Sequence, residues 1–151
     1  MNTLKIVCPC HFGLESVLTY EIKKIGGENV KSDNGRVTFD GDFENIARAN
    51  LCLSTAERVL IQLAEFPAFS FEDLFQGVKN IPFEDFICKA DAFPVKGYSL
   101  NSRLKSIPDC QSIIKKAAVE RLKSKYGVNW LEESGPIHQI QFGIMKDIAT
   151  I

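Results

Sequence analysis

Residues 57–67 read ERVLIQLAEFP. The alternation of apolar residues predicts a β-strand with Val59, Ile61 and Leu63 on one face, stopped at Pro67. What this strand closes decides the fold. Immediately before it, Asp42 is placed to N-cap a helix running through Phe43, Ile46, Ala47 and Leu51. Further back, Asp33-Asn34-Gly35 marks a tight turn between two short strands, with Val37 and Phe39 alternating in the second. Leu14, Val17, Leu18, Ile22 and Ile25 recur at three- and four-residue spacing and predict a helix stopped by Gly26-Gly27. The segment TLKIVC, residues 3–8, reads as the first strand. The order βαββαβ is the ferredoxin-like motif, expected as an N-terminal subdomain over residues 1–66.

Working forward, residues 67–151 predict a second, α/β domain, so the whole chain is expected to be α+β. Ser70 with Asp73 has capping-box spacing and opens a helix ending before Gly77, with Ile81-Pro82 as a break. FPVKGYSL, residues 93–100, reads as a strand that Pro94 favours at a sheet edge. Ser106-Ile107-Pro108-Asp109 has the spacing of another capping box. The helix it opens runs to Tyr126 with Ile113, Ile114, Ala117, Ala118 and Leu122 as its buried stripe, and Gly127 ends it. HQIQFGIMK, residues 138–146, follows as a strand with Ile140, Phe142 and Ile144 alternating. The sequence closes on DIATI, apolar and β-leaning. That ending reads as an interrupted strand, so the chain is expected to be a piece of a longer protein with its second domain incomplete.

At 151 residues, 45% of them hydrophobic, the chain can build a core or two small ones. It contains no apolar run long enough to span a bilayer, and MNTLKIVCPCHFG lacks the form of a signal peptide. Five cysteines are an odd and scattered set, which fits a reducing compartment; the expected location is cytoplasmic, with no membrane partner. Cys8-Pro9-Cys10-His11 is the only cluster. A zinc site would need further ligands, and the one other histidine is His138, so no metal is expected. There is no GxGxxG, Walker-type GKS or GKT, HExxH or GxSxG, and no catalytic residue is assigned.

The formal net charge of −1 hides a separation. Residues 96–126 carry a net +6, residues 1–95 a net −5 and residues 127–151 a net −2. Such asymmetry raises the expectation of an anionic partner. Lys96, Arg103, Lys105, Lys115, Lys116 and Lys123 are the candidate contacts, with the hydroxyls of Ser102 and Ser106 beside them. Lys116 and Lys123, two turns apart, lie away from the helix's buried stripe, while Arg121 and Lys125 are expected to lay their stems over apolar surface. A solvated lysine-rich face is the plain alternative. The adjacent loop YSLNSRLKS and the helix start favour phosphate contact, and phosphate contacts position a nucleic acid without reading its sequence. Trp130 and the phenylalanines read as core rather than base-stacking platforms, while Tyr98, near the loop, could stack on a base.

RANLCLSTAERVLIQLAEFPAFSFEDLF, residues 48–75, and FPVKGYSLNSRLKSIPDCQSIIKKAAVERLKSKYG, residues 93–127, carry a resemblance. The chain resembles, over essentially its whole length, the N-terminal part of bacterial THUMP-domain RNA methyltransferases, relatives of the large-subunit ribosomal guanine-N2 enzymes. Ser54 stands where the family's LRTA-like stretch favours arginine. The resemblance implies a ferredoxin-like subdomain followed by a THUMP domain that binds RNA, ribosomal RNA first. It also implies a methyltransferase domain in cis that holds S-adenosylmethionine and an Asn/Asp-Pro-Pro-aromatic motif, with no cofactor in this segment. A THUMP module of a tRNA-modifying enzyme and a protein-interaction module with a basic face are the rival readings.

Overall fold

Leu4–Pro9 forms β1, whose alternate residues Ile6 and Cys8 are fully buried. The computed structural model describes residues 3–151 and divides them after Gln62 into two units. In the first, β1 is followed by α1 (Glu15–Lys24), β2 (Glu28–Asp33), β3 (Arg36–Gly41), α2 (Phe43–Cys52) and β4 (Leu60–Gln62). The sheet order is β2-β3-β1-β4 with every neighbouring pair antiparallel. This is the ferredoxin-like βαββαβ arrangement anticipated from the spacing of the apolar residues. Leu18 and Ile22 of α1 and Ala49 of α2 pack on Ile6, Cys8, Val37 and Phe39 of the sheet.

Two helix faces differ from the expected ones. Val17 is 45% exposed, because α1 needs only Leu18 and Ile22 at its inner stripe. In α2 the residues Phe43, Ala47 and Leu51 form an i, i+4, i+8 row that points outward, and Ile46, Ala49 and Leu53 pack inward instead. The capping box that starts α2 uses Asp42 and Asn45, each side chain accepting the other's backbone N–H.

The expected single strand over residues 57–66 is two strands in two sheets. β4 ends at Gln62. Leu63 then donates its N–H to Ile151 O at 2.8 Å, and Ile151 donates back to Ala64 O at 2.9 Å. β5 (Glu65–Pro67) continues into the second sheet. Val59 therefore packs in the first core and Leu63 in the second, where the alternation had placed them on one face.

The second unit continues with α3 (Phe71–Lys79), a 3-10 turn at Phe83–Asp85, β6 (Val95–Leu100), α4 (Ile107–Tyr126), β7 (Ile140–Met145) and β8 (Ile148–Thr150). Sheet order is β5-β8-β7-β6, so β6 is an edge strand as Pro94 suggested. The β6–β7 pair is parallel and the other pairs are antiparallel. A parallel neighbour requires a crossover, and α4 provides it. The core holds Leu74 and Val78 of α3, Cys110, Ile114, Ala117, Ala118 and Leu122 of α4, and Ile140, Phe142 and Ile144 of β7. Helices thus cover one face of this sheet. The capping box at Ser70 and Asp73 forms as the sequence indicates. No described helix is long and apolar enough to cross a membrane.

Candidate nucleic-acid interface

The loop between β6 and α4, residues 101–106, meets the Lys146-Asp147 turn between β7 and β8 because β6 and β7 run parallel in register to Leu100 opposite Met145. Ser102 ties the two together. Its hydroxyl donates to Leu100 O at 2.9 Å and accepts the Asp147 N–H at 3.1 Å. The Asp147 carboxylate accepts the Arg103 N–H at 2.7 Å. Lys146 donates its own N–H to Leu100 O at 3.3 Å. Lys146 and Asp147 both take positive φ, 50° and 63°, as a two-residue type I′ hairpin turn demands. Neither is glycine, so the turn carries backbone strain that the hydrogen bonds from the loop offset.

This junction holds up cationic groups. Arg103, Lys105 and Lys146 are exposed around it, and Arg103 and Lys105 line a shallow depression with Ser99, Asn101, Ser102 and Asp147. The Arg103 guanidinium lies 5.3 Å from the Phe69 ring centroid, a cation–π contact that orders the side chain without neutralising it. Lys96 stands near the start of β6, exposed, on the sheet face that the helices leave open. None of Lys96, Arg103, Lys105 and Lys146 has a side-chain carboxylate partner among the described residues. Lys146 was missed by the charge count because it lies outside residues 96–126; only the parallel β6–β7 register brings it in.

The remaining candidates go elsewhere. Ser102 is 8% exposed and holds the junction from within, so its hydroxyl is not a surface contact. Ser106 makes no side-chain cap; α4 begins with Pro108 in its first turn, and no reciprocal bond with Asp109 forms. Lys115 is tied down: its ammonium pairs with Glu133 at 2.5 Å, donates to Phe93 O at 3.1 Å and sits 3.5 Å from the Phe93 ring centroid. Lys116 and Lys123 lie on α4, which packs on the opposite side of the sheet from Lys96. Lys116 approaches the Phe75 ring at 5.8 Å. The basic segment is therefore split between two surfaces of the second unit.

Arg121 and Lys125 do more than cover apolar surface. The Arg121 fork grips both oxygens of Glu84, and Lys125 lies 3.7 Å from the same carboxylate. The Arg121 hydrogen bonds hold the Glu84 carboxyl down at about 2, against an ordinary 4.5. In the first unit, the Ser54 and Thr55 hydroxyls and backbone N–H groups converge on Glu21 and keep its carboxyl below the usual range. Cys8 lies at the centre of its core, and burial pushes its thiol up to about 12.

Two family models match the chain: the RlmL ferredoxin-like domain over residues 5–60 and the THUMP domain over residues 68–151. The chain belongs to the THUMP-domain family, with an RlmL-type ferredoxin-like domain ahead of the THUMP domain. It is 42% identical over 153 residues to the "Putative RNA methyltransferase YpsC" of Bacillus subtilis, covering 100% of this chain and 40% of that protein. It is 31% identical over 123 residues to the "Ribosomal RNA large subunit methyltransferase K/L" of Psychromonas ingrahamii, covering 82% of this chain and 16% of that protein. A crystal structure from Listeria monocytogenes, titled as a predicted N6-adenine-specific DNA methylase, superposes with a TM-score of 0.95 at 40% identity, over 99% of this chain and 40% of that one. The crystal structure of SMU.472, "a putative methyltransferase complexed with SAH", gives a TM-score of 0.94 at 36% identity, over 99% of this chain and 41% of that one. The chain spans well under half the length of these relatives.

Proposed function

We propose that this chain is the RNA-recognition region of an S-adenosylmethionine-dependent methyltransferase acting on a guanine N2 of large-subunit ribosomal RNA. The observation that carries the reading is the junction where Arg103, Lys105 and Lys146 stand exposed past the end of β6, with Lys96 exposed near the strand's start, in a chain of the THUMP family. Phosphate oxygens suit such a cluster of unpaired cations, and a polyanion bridging them fixes its own register on the protein. Lys116 and Lys123 extend the cationic surface on the helical side for a larger RNA.

Methyl transfer belongs to the full-length protein. S-adenosylmethionine is assigned to the part of the full-length protein outside this chain. The first sheet is wholly antiparallel, and the second has its single parallel pair at an edge, so neither offers the switch point between parallel strands that such cofactors use.

The test is binding of a labelled ribosomal RNA fragment followed across a salt series. Four phosphate contacts give a slope of about −3 in log affinity against log salt. Reversing Lys96, Arg103 and Lys105 together to Glu should flatten that slope and abolish retention. Unchanged affinity overturns the site. A tRNA substrate is the second reading, favoured by 30% identity over 88 residues to a protein named tRNA (guanine(6)-N2)-methyltransferase from Methanocaldococcus jannaschii. Incubating the full-length enzyme with labelled methyl donor and both RNA pools decides between them by which pool becomes labelled.

A further inference from the structure

Tyr98 projects from the open face of the second sheet, between Lys96 and Leu100 on β6. An aromatic side chain on a strand ordinarily stands away from the sheet. This one lies down across the neighbouring strand. Opposite it in the register is Gly143, where an added Cβ would stand 2.8 Å from Cζ and Oη of the ring. The phenol reaches on to Met145 Sδ at 3.8 Å. Gly143 is therefore the vacancy that admits the ring across β7, and at 42% exposure the residue keeps part of its surface open to solvent.

Around the ring the open face is apolar and cationic. Leu100, Met145 and Ile148 are exposed beside it, Lys96 precedes it by about 6.6 Å along the strand, and Arg103, Lys105 and Lys146 gather past the strand's other end. The acids of this face are Asp147, already engaged with Arg103 N–H, and Glu65 on β5 at the far edge of the sheet. β6 is itself an edge, so a strand of nucleic acid running along it meets no neighbouring element of the sheet.

We propose that this face binds unpaired RNA, with a base stacked on Tyr98 and the flanking phosphates held by Lys96 on one side and by the Arg103–Lys105–Lys146 junction on the other. The proposal rests on the RNA-binding reading above and adds to it the form of RNA. A base can lie on an aromatic ring only when its own stacking is released, which selects loops, bulges and ends over A-form duplex. The exposed aliphatic neighbours suit the sugar and the second edge of the base, and sequence preference is expected to be weak, since every base has a π-face.

The experiment measures affinity of the 151-residue chain for an unstructured oligouridine and for a blunt RNA duplex, by fluorescence anisotropy at low salt. Tyr98→Ala should weaken the single strand roughly tenfold or more and leave the duplex unchanged. Tyr98→Phe keeps the π-face and should stay within about twofold of the parent. Gly143→Ala lifts the ring off the sheet and should reproduce the selective loss, circular dichroism confirming that each variant is folded. If Tyr98→Ala binds the single strand like the parent while the Lys96, Arg103 and Lys105 reversal abolishes binding, stacking is wrong and the phosphate reading stands. If neither RNA is retained by the parent, both readings fall.

Discussion

Glu84 shows how one residue redirects the reading of a charge run. Two of the cations counted towards the basic segment, Arg121 and Lys125, are spent on its carboxylate inside the second unit. Because the folded carboxyl titrates at about 2 and the unfolded one at about 4.5, its contribution is complete above pH 4.5 and vanishes as pH falls through 2. Glu84→Gln should thus destabilise the chain at pH 7 by about 1–2 kcal/mol and flatten the acid limb of a Tm-against-pH curve between those values. Thiols offer a second check at this scale. Cys52 and Cys88 are exposed and Cys8, Cys10 and Cys110 are buried, so brief alkylation of the native protein should add two labels by mass spectrometry and full alkylation under denaturant five. Lys146 is the residue where stability and binding oppose one another. Lys146→Gly relieves a left-handed backbone and should raise stability by up to about 1 kcal/mol in urea melts, yet it removes a cation and should weaken RNA retention.

Elements decide which of the local signals prevail. Ser70→Ala should cost about 1 kcal/mol because its hydroxyl accepts the Asp73 N–H, whereas Ser106→Ala should fall within about 0.5 kcal/mol, there being no cap to lose. Denaturant midpoints of the two variants measure the contrast. Both sites have the same S-x-x-D spacing, so sequence could not separate them. Periodicity was informative wherever one face alone is buried, as in β7 and α4. It misled in α2, which presents two apolar rows and buries the one that faces the sheet. It misled again between Val59 and Leu63, because alternation continues unbroken through a point where hydrogen-bonding partners change. Nothing local announces that change: the partner of Leu63 is Ile151, 88 positions later. The same limit concealed Lys146 from the candidate site.

Across the whole molecule, the net +6 of residues 96–126 resolves into internal pairs, a helical patch and the loop–turn junction. Only unpaired cations release counterions from RNA, so charge counts overstate the salt dependence to be expected. Reversing Lys116 and Lys123 should accordingly matter less, per charge, than reversing Lys96, Arg103 and Lys105, and titrations of both variants at one salt concentration compare them directly. One consequence lies in the clasp between Leu63, Ala64 and Ile151. Its hydrogen bonds join positions up to 88 apart in the chain, so any opening that frees Ile151 should also free Leu63 and Ala64 and loosen β5 against β8.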